Sequence, residues 1–234
     1  MKHTLLIKDW LSSFLSLLFP RCCVVRGRPL AKGEECICTV CNINLPRTNY
    51  HLRKDNPVER LFWGQIPLER ATSFFFYEKG SDFRLILHRL KYGGQKEIGA
   101  IMGRYMAAEL LSSHFFQGID VIIPIPLHKK KQQIRGYNQS EWIARGITAV
   151  TGIPIDTESI LRKKNTETQT RKSVFERRDN VEGIFELQHP ETLAGKHILI
   201  VDDVLTTGST TLACASCLVN VEGIRISILT LATA

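Results

Sequence analysis

The sequence lacks both of the common nucleotide-binding loops. It contains no GxxxxGK followed by Ser or Thr, and no GxGxxG follows an apolar run that could form a strand. Those glycine-rich patterns hold nucleotide phosphates in P-loop enzymes and in dinucleotide-binding domains. Their absence argues against a P-loop kinase and against a nicotinamide-dependent dehydrogenase.

A long uncharged apolar run is also missing. The apolar stretch at residues 1–20 is interrupted by Lys8, Asp9 and several serines, and it is too short and too polar to span a bilayer. Its apolar residues recur at helical spacing, which predicts an amphipathic helix and argues against a secretion signal. We expect this helix to pack on the protein's own core or on a partner. The protein is then cytoplasmic, and peripheral contact with the inner membrane is the alternative.

Low-complexity and repeated stretches are absent as well. The composition, with 44% hydrophobic and 23% charged residues, is that of an ordinary globular protein. A chain of 234 residues is long enough for one principal core with a small appendage. Composition therefore predicts a folded chain and excludes a disordered or solenoid protein.

Positive charge is concentrated in one part of the chain. Residues 129–178 hold twelve Lys or Arg against five Asp or Glu, which is a surplus of seven within a net charge of +8. Such a surplus attracts phosphates of any kind, including pyrophosphate, nucleotides and nucleic-acid strands. A solvated basic surface with no specific partner is the alternative.

The chain divides into three parts by composition. Residues 1–50 combine the amphipathic helix with a cysteine-rich segment, and residues 51–70 are polar and are predicted to form a linker. From residue 71 to residue 234, apolar runs alternate with helical patterns. We predict that this third part is the main α/β domain.

Three unbroken Val/Ile/Leu runs, at residues 120–126, 196–204 and 224–232, lie in the third part. Runs of this kind are typical of strands that are covered on both faces of a parallel sheet. We therefore predict a mostly parallel twisted sheet with flanking helices. Ligands of such sheets bind beyond the carboxyl ends of the strands.

The segment at residues 198–211, ILIVDDVLTTGSTT, carries the clearest chemistry. A buried strand delivers Asp202 and Asp203, and a loop with Gly208 then leads into a helix, whose first backbone N–H groups can bind a phosphate. Further hydrogen-bond donors are Thr206, Thr207, Ser209 and Thr210. The two carboxylates can accept hydrogen bonds from vicinal sugar hydroxyls or hold Mg²⁺ through water. The two acids alone, or the Ser/Thr cluster alone, would also fit an ordinary helix cap.

This segment resembles the motif with which type I phosphoribosyltransferases bind phosphoribosyl pyrophosphate (PRPP). The resemblance implies the type I phosphoribosyltransferase fold, with the 5-phosphate at residues 206–210, the ribose hydroxyls at Asp202 and Asp203, and Mg²⁺ with the ligand. In that family the loop at residues 124–139 receives pyrophosphate, and a mobile loop, here at residues 161–181, closes over PRPP. By composition alone, these basic stretches also fit solvated surface loops.

Four segments together resemble the ComF/GntX family of phosphoribosyltransferase-like proteins, which are linked with DNA uptake in competent bacteria. They are LKYGG (90–94), PIPLHKKKQQIRGYNQSE (124–141), LRKKNTETQTRKSVFERRDNVEGIF (161–185) and VDDVLTTGSTT (201–211). The resemblance implies that the site also includes Lys91, His128, Arg135, Gly136, Asn138, Gln139, Arg162, Thr168, Gln169, Arg178 and Asn180.

The same family carries an N-terminal zinc knuckle made of two Cys-x-x-Cys pairs. Here the pair Cys38 and Cys41 is complete, but Arg26 stands three residues after Cys23, where the family has cysteine. Either a neighbouring cysteine substitutes or the metal is lost. Because adjacent cysteines can hardly bind one ion, we expect a structural zinc held by Cys23, Cys36, Cys38 and Cys41. A degenerate knuckle without metal is the alternative.

Two functional hypotheses follow. In the first, the protein transfers the phosphoribosyl group of PRPP, and Asp202, Asp203 and Arg135 contribute to a largely electrostatic catalysis. In the second, it senses PRPP or ribose 5-phosphate without catalysis and contacts single-stranded DNA or DNA-uptake proteins. The basic stretch has few aromatic residues for base stacking, so any contact with DNA is expected to be mostly with phosphates. The acceptor and the oligomeric state are not assigned by the sequence.

Overall fold

The computed structural model describes residues 20–163 and 183–234. The predicted N-terminal helix lies outside these residues. So do four site residues predicted for the loop over PRPP, namely Thr168, Gln169, Arg178 and Asn180. Their placement therefore remains a prediction. No helix in the described ranges is long and apolar enough to cross a membrane.

A four-stranded parallel sheet forms the centre of the protein. Its strands are β1 (Leu68–Phe76), β2 (Val121–Pro124), β5 (His197–Leu205) and β6 (Arg225–Thr233), in the spatial order β1-β6-β5-β2. Ile200 of β5 is aligned with Ile123 of β2 and with Ile228 of β6. The predicted α/β fold with a mostly parallel sheet is confirmed, and the acidic pair lies near the carboxyl end of a central strand.

Helices cover both faces of this sheet. They are α1 (Thr39–Ile43), α2 (Pro57–Arg60), α3 (Arg84–Tyr92), α4 (Glu97–Leu111), α5 (Lys129–Arg135), α6 (Gln139–Thr151) and α7 (Ser209–Ser216), with short 3-10 helices at Tyr50–Leu52 and Pro190–Leu193. Alternate residues of β5 enter different apolar layers, Leu199 and Val201 on the side of α4 and α6, and Ile198 and Ile200 on the side of α7. Burial on both faces explains why this strand is an unbroken apolar run.

A small antiparallel hairpin pairs β3 (Ile160–Arg162) with β4 (Phe185–Leu187). Leu161 lies opposite Glu186, and Lys163 forms a 2.5 Å ion pair with the same glutamate. Together with the loop that follows β2, the hairpin lines a cleft. It therefore places its side chains beside the carboxyl end of the sheet.

The segment at residues 51–70, which its polar composition predicts to be a linker, packs against the main domain. Asn56 caps α2, and its side-chain amide donates to the Ala71 carbonyl at 2.9 Å. Phe62 is fully buried, and its ring lies 3.4 Å from the place that a Cβ atom at Gly208 would take. A few buried residues thus attach a segment that is otherwise mostly exposed or half-buried. The average composition of the segment does not reveal these few residues.

Helices α4 and α6 approach each other to backbone contact. A methyl group on Gly103 would lie 2.2 Å from the Ile143 carbonyl oxygen, and one on Gly146 would lie 2.1 Å from that of Ala100. Glycine is therefore required at both positions by packing, although it lowers helix propensity. The crossing sets how deeply α6 lies against β5.

Replacing Gly146 by Ala should lower the free energy of unfolding by about 1–3 kcal/mol, because the methyl group forces the two backbones apart. Helix propensity alone would act in the opposite direction, by up to about 1 kcal/mol. Urea unfolding followed by circular dichroism measures the difference. Gly80→Ala is the matched control, because a methyl group there meets nothing within 4 Å. An equal effect of the two substitutions would contradict the packing argument.

Candidate functional site

Asp202 lies where β5 meets the start of α6. Its Oδ1 accepts hydrogen bonds from the Ser140 hydroxyl at 2.9 Å and from the backbone N–H of Asp203 at 2.8 Å. Ser140 is the second residue of α6. The carboxylate is therefore oriented by two donors that come from different parts of the chain.

The pKa of Asp202 is raised to about 7, because burial disfavours its charged form and the neighbouring Asp203 carboxylate repels it. Hydrogen bonds from Asp203 and Ser140 and the charge of Lys91 act in the opposite direction without cancelling the shift. The ionised form of Asp202 is thus disfavoured in the free protein. A ligand that brings hydroxyl donors or positive charge would favour its ionised form.

Asp203 forms an ion pair with Lys91, whose Nζ lies 2.9 Å from its Oδ1. Lys91 is in the last turn of α3, and the Tyr137 hydroxyl donates to the neighbouring Leu90 carbonyl at 2.5 Å. This bond fixes α3 to the chain just before α6. The structure therefore places Lys91 beside the acidic pair, as well as near the predicted pyrophosphate loop.

The loop after β5 has the form of a phosphate cradle. Gly208 adopts a left-handed conformation, with φ of 75°, and α7 begins at the next residue. Thr206, Thr207 and Thr210 are exposed, and the hydroxyls of Thr207 and Ser209 lie 2.8 Å apart. The first N–H groups of a helix have no partner within the helix, so they can donate to an anion held by this loop.

The loop between β2 and α6 is stabilised by its own polar side chains. His128 caps α5, and its Nδ1 accepts from the Lys130 N–H at 3.3 Å. The Asn138 amide donates to the Ile125 carbonyl at 3.0 Å, and its oxygen accepts from the Ser140 N–H at 3.2 Å. Gly136 ends α5 in a left-handed conformation, with φ of 80°. In this structure these three predicted site residues shape the loop.

Arg135 is the cation that this loop holds in place. Its Nη1 donates to the Gln139 side-chain oxygen at 2.8 Å, and its guanidinium lies 5.4 Å from the centre of the Tyr92 ring. Gln139 is buried at the start of α6. The guanidinium is therefore oriented before any ligand binds, which lowers the entropy cost of an ionic contact.

Cations from two elements come close together beside the acidic end of β5. Burial lowers the pKa of Lys131, and the positive charges of Arg162 and Arg135 lower it further. Burial also lowers the pKa of Arg162, which the Asp202 carboxylate opposes, and its guanidinium lies 5.3 Å from the centre of the Phe185 ring. The positive charge around Lys131 forms an environment that a polyvalent anion would stabilise.

A cleft of about 490 Å³ separates the loop after β2 from the hairpin. Its walls include Pro126, His128, Glu141, Leu161 and Arg162. Apolar side chains, two carboxylates and several cations therefore surround a space large enough for a small organic molecule. The cleft shares Asn138 and Arg162 with the surroundings of the acidic pair.

Three of the cysteines form a compact thiol cluster. The Sγ atoms of Cys23, Cys38 and Cys41 all lie within 4.8 Å of one another, and those of Cys23 and Cys41 are 3.7 Å apart. Burial acts to raise the pKa of the Cys38 thiol, but hydrogen bonds from Cys41, Arg28 and Cys23 lower it to about 7. Burial and the neighbouring thiols raise the pKa of Cys41.

Cys36 is the member of the predicted zinc set that lies outside this cluster. Its side chain is buried in the apolar core, and burial raises its pKa to about 12. The chain bends at Cys36 and Ile37, and Cys36 does not join Cys38 in the cluster although the two are only two residues apart. The described residues thus bring together three of the four predicted thiolates, and zinc binding itself stays a prediction.

Two residues that support the site, Ser140 and Phe62, were not predicted from the sequence. The cysteine Cys214 is fully buried on α7. Sequence reasoning missed Ser140 as the partner of Asp202 and Phe62 as the support beneath Gly208. Ser140 lies two residues after the helix-capping Asn138, which was the available signal. No local pattern pointed to Phe62.

Comparison with known proteins agrees with this arrangement. Residues 137–234 match the phosphoribosyl transferase domain family. The chain is 32% identical to the DNA utilization protein YhgH of Escherichia coli O157:H7, over 83% of this chain and 88% of that protein.

Two competence proteins are also similar. Competence protein F of Haemophilus influenzae is 32% identical over 54% of this chain and 57% of its own length. Competence protein ComFC of Bacillus subtilis is 25% identical over 89% of this chain and 82% of its own length. With its parallel sheet, acidic pair and phosphate-type loop, the chain belongs to the ComF family of phosphoribosyltransferase-like proteins.

Proposed function

We propose that this protein binds PRPP, or ribose 5-phosphate, at the carboxyl end of β5. The observation that supports this most strongly is the position of the acidic pair. Asp202 and Asp203 come directly before the loop that leads into α7 at Gly208, and Arg162 lies within electrostatic reach of Asp202. A loop suited to phosphate, two acids suited to ribose hydroxyls and nearby cations suited to pyrophosphate are the three groups that PRPP requires.

Each part of the ligand has a partner of suitable chemistry. The 5-phosphate would accept hydrogen bonds from the loop at residues 206–210, and the ribose hydroxyls would donate to Asp202 and Asp203. The pyrophosphate would lie near Arg135, Lys131 and Arg162, where its charge offsets the positive field of the two arginines at Lys131. Such a ligand would therefore reduce an unfavourable charge interaction of the free protein.

Magnesium would accompany PRPP and neutralise part of the pyrophosphate charge. Mg²⁺ commonly binds through one or two protein carboxylates together with substrate oxygens and water. Asp202 fits that role, through water, whereas Asp203 is already paired with Lys91. The donor set fits an ion that arrives with the ligand better than an ion bound by the protein alone.

Phosphoribosyl transfer is the activity that we propose for the site. Arg135 and the neighbouring cations would stabilise the leaving pyrophosphate, and the adjacent cleft of about 490 Å³ offers room for an acceptor. The contribution of these cations to catalysis would then be mainly electrostatic. The protein is expected to position charge and substrate, while no single side chain is assigned as the base.

A PRPP sensor in DNA uptake is the second candidate. Helix α5 exposes Lys129 and Lys130, and its Ile134 is 85% exposed. The names of two relatives refer to DNA utilization and to competence. We propose contact with single-stranded DNA or with DNA-uptake proteins through this helix. Calorimetry with PRPP and Mg²⁺, followed by a pyrophosphate-release assay with bases and amines, separates the candidates, since a sensor binds without release.

The double substitution Asp202→Asn and Asp203→Asn should weaken PRPP binding about 100-fold or more, because two charge-assisted hydrogen bonds to the ribose are lost. Calorimetry in Mg²⁺ measures the affinity, and circular dichroism checks the fold. Glu69→Gln, an exposed carboxylate near the opposite end of the sheet, is the control. Unchanged affinity in the double variant would overturn the assignment of the site.

Arg135→Gln should weaken PRPP binding about tenfold to 100-fold, because one charged contact with pyrophosphate is removed. Binding of ribose 5-phosphate, which has no pyrophosphate, should change little. Arg145→Gln is the matched control, since this exposed arginine pairs with Glu141 on the same side of the molecule. Equal losses for the two ligands would show that Arg135 does not contact pyrophosphate.

The raised pKa of Asp202 has a consequence for stability that can be measured without ligand. Because the folded protein holds this proton up to about pH 7, whereas the ordinary pKa is 3.8, stability should fall as pH rises between these values. The loss is at most about 1.4 kcal/mol per pH unit. Asp202→Asn should therefore gain stability relative to the native sequence from pH 4.5 to pH 7.5 in urea unfolding. A stability difference between the two proteins that does not depend on pH would contradict the raised pKa of Asp202.

A further inference from the structure

The last turn of α3 contacts two different parts of the candidate site. Lys91 in this turn forms the ion pair with Asp203, and the two side chains are only 20% and 12% exposed. The next residue, Tyr92, has its ring centre 5.4 Å from the guanidinium of Arg135. Two consecutive residues thus connect the acidic pair with the cation that is proposed for pyrophosphate.

The backbone of this turn is held by the core. Leu90 is fully buried, and its carbonyl accepts a hydrogen bond of 2.5 Å from the Tyr137 hydroxyl. The side chain of Lys91, in contrast, is a flexible four-carbon stem that ends in a compact charge. The ammonium group can therefore leave Asp203 by rotation of the side chain alone, while α3 stays in place.

The ammonium group of Lys91 lies where a divalent cation at the acidic pair would bind. Its Nζ is 2.9 Å from Oδ1 of Asp203, and its positive charge also acts on the carboxylate of Asp202. A divalent cation at either carboxylate would meet this charge at short range and would be repelled. Lys91 therefore opposes the binding of a metal ion that arrives alone.

Three ligands differ in what they offer to this ion pair. Ribose 5-phosphate brings hydroxyl groups to the acids, but it has no pyrophosphate to receive the ammonium group. A metal ion alone brings only positive charge. PRPP with its metal ion brings hydroxyls and a cation for the carboxylates, together with a pyrophosphate that can pair with Lys91. Of the three, only this ligand gives both members of the ion pair a new partner.

We propose that Lys91 selects metal-loaded PRPP over ribose 5-phosphate and over the metal ion alone, by exchanging Asp203 for the pyrophosphate when this ligand binds. The inference rests on the proposed function and deepens it, because it assigns one residue to the choice of ligand. The lysine stays charged throughout, and no covalent bond forms or breaks. The ion pair with Asp203 is then the resting state of the free protein.

Binding of Mn²⁺ without PRPP, measured by electron paramagnetic resonance on the full chain, tests the first part of the proposal. Lys91→Met should bind Mn²⁺ at least about tenfold more tightly than the native sequence, because the competing charge is gone. Adding Asp203→Asn should remove this gain, which assigns the ion to the acidic pair. Lys196→Met should equal the native sequence and is the matched control, since Lys196 is also half-buried but precedes β5 at its opposite end.

Calorimetry with two sugar ligands tests the exchange itself. In Lys91→Met the affinity for PRPP with Mg²⁺ should fall at least about tenfold, because an ionic contact with pyrophosphate is lost. The affinity for ribose 5-phosphate should not fall, because this ligand no longer competes with Lys91 for Asp203. A merely structural role of Lys91 would lower both affinities together.

Two results would contradict this role of Lys91. They are Mn²⁺ binding by Lys91→Met that equals native binding, and equal losses for the two sugar ligands. A native chain that binds no PRPP contradicts the proposed function instead, and the Mn²⁺ measurement then still decides whether Lys91 opposes a metal ion at the acids. Lys91→Gln removes the same charge and should reproduce both results, and circular dichroism checks that each variant is folded.

Discussion

The hydrogen bond between Ser140 and Asp202 joins the two elements on which the candidate site depends. It can form only because α6 lies close to the carboxyl end of β5. That position is set on the opposite side of α6, where Gly103 and Gly146 allow α4 and α6 to touch. A larger residue at the crossing would displace α6, and with it both Ser140 and the loop that orients Arg135. Small residues far from any ligand thus determine the geometry of the acidic pair.

The acidic pair is arranged for a ligand and reduces the stability of the free protein. Burial of Asp202 beside Asp203 raises its pKa to about 7, so keeping this residue acidic carries an energetic cost. Nearby, the positive charges of Arg162 and Arg135 lower the pKa of Lys131. The two groups are in contact, because Lys91 pairs with Asp203 and the Asp202 carboxylate acts on Arg162. Perturbed acids and cations at one edge of a sheet are typical of functional sites.

The sequence predicted the parts of this site that depend on local pattern. The apolar run, the two acids and the glycine-containing loop are contiguous, so β5, Asp202 and Gly208 could be placed from residues 198–211 alone. Contacts between distant segments could not be predicted in this way. Phe62 reaches Gly208 across nearly 150 positions of sequence, and polar neighbours conceal it in a segment that composition assigns to a linker. The same holds for Cys36, because sequence spacing alone does not show whether Cys36 or Cys38 lies with Cys23 and Cys41.

The cysteine segment and the acidic pair are connected through a single helix. Arg104 of α4 pairs with Glu35 at 2.5 Å, and Arg47 pairs with Glu109 of α4 at the same distance, so two ion pairs attach this part of the chain to α4. The backbone of α4 at Gly103 packs on α6, whose first turn carries Ser140. Because ion pairs and apolar contacts already fix the segment to α4, its position relative to Asp202 does not require a metal. Packing and ion pairs thus hold the framework that carries Ser140 to Asp202.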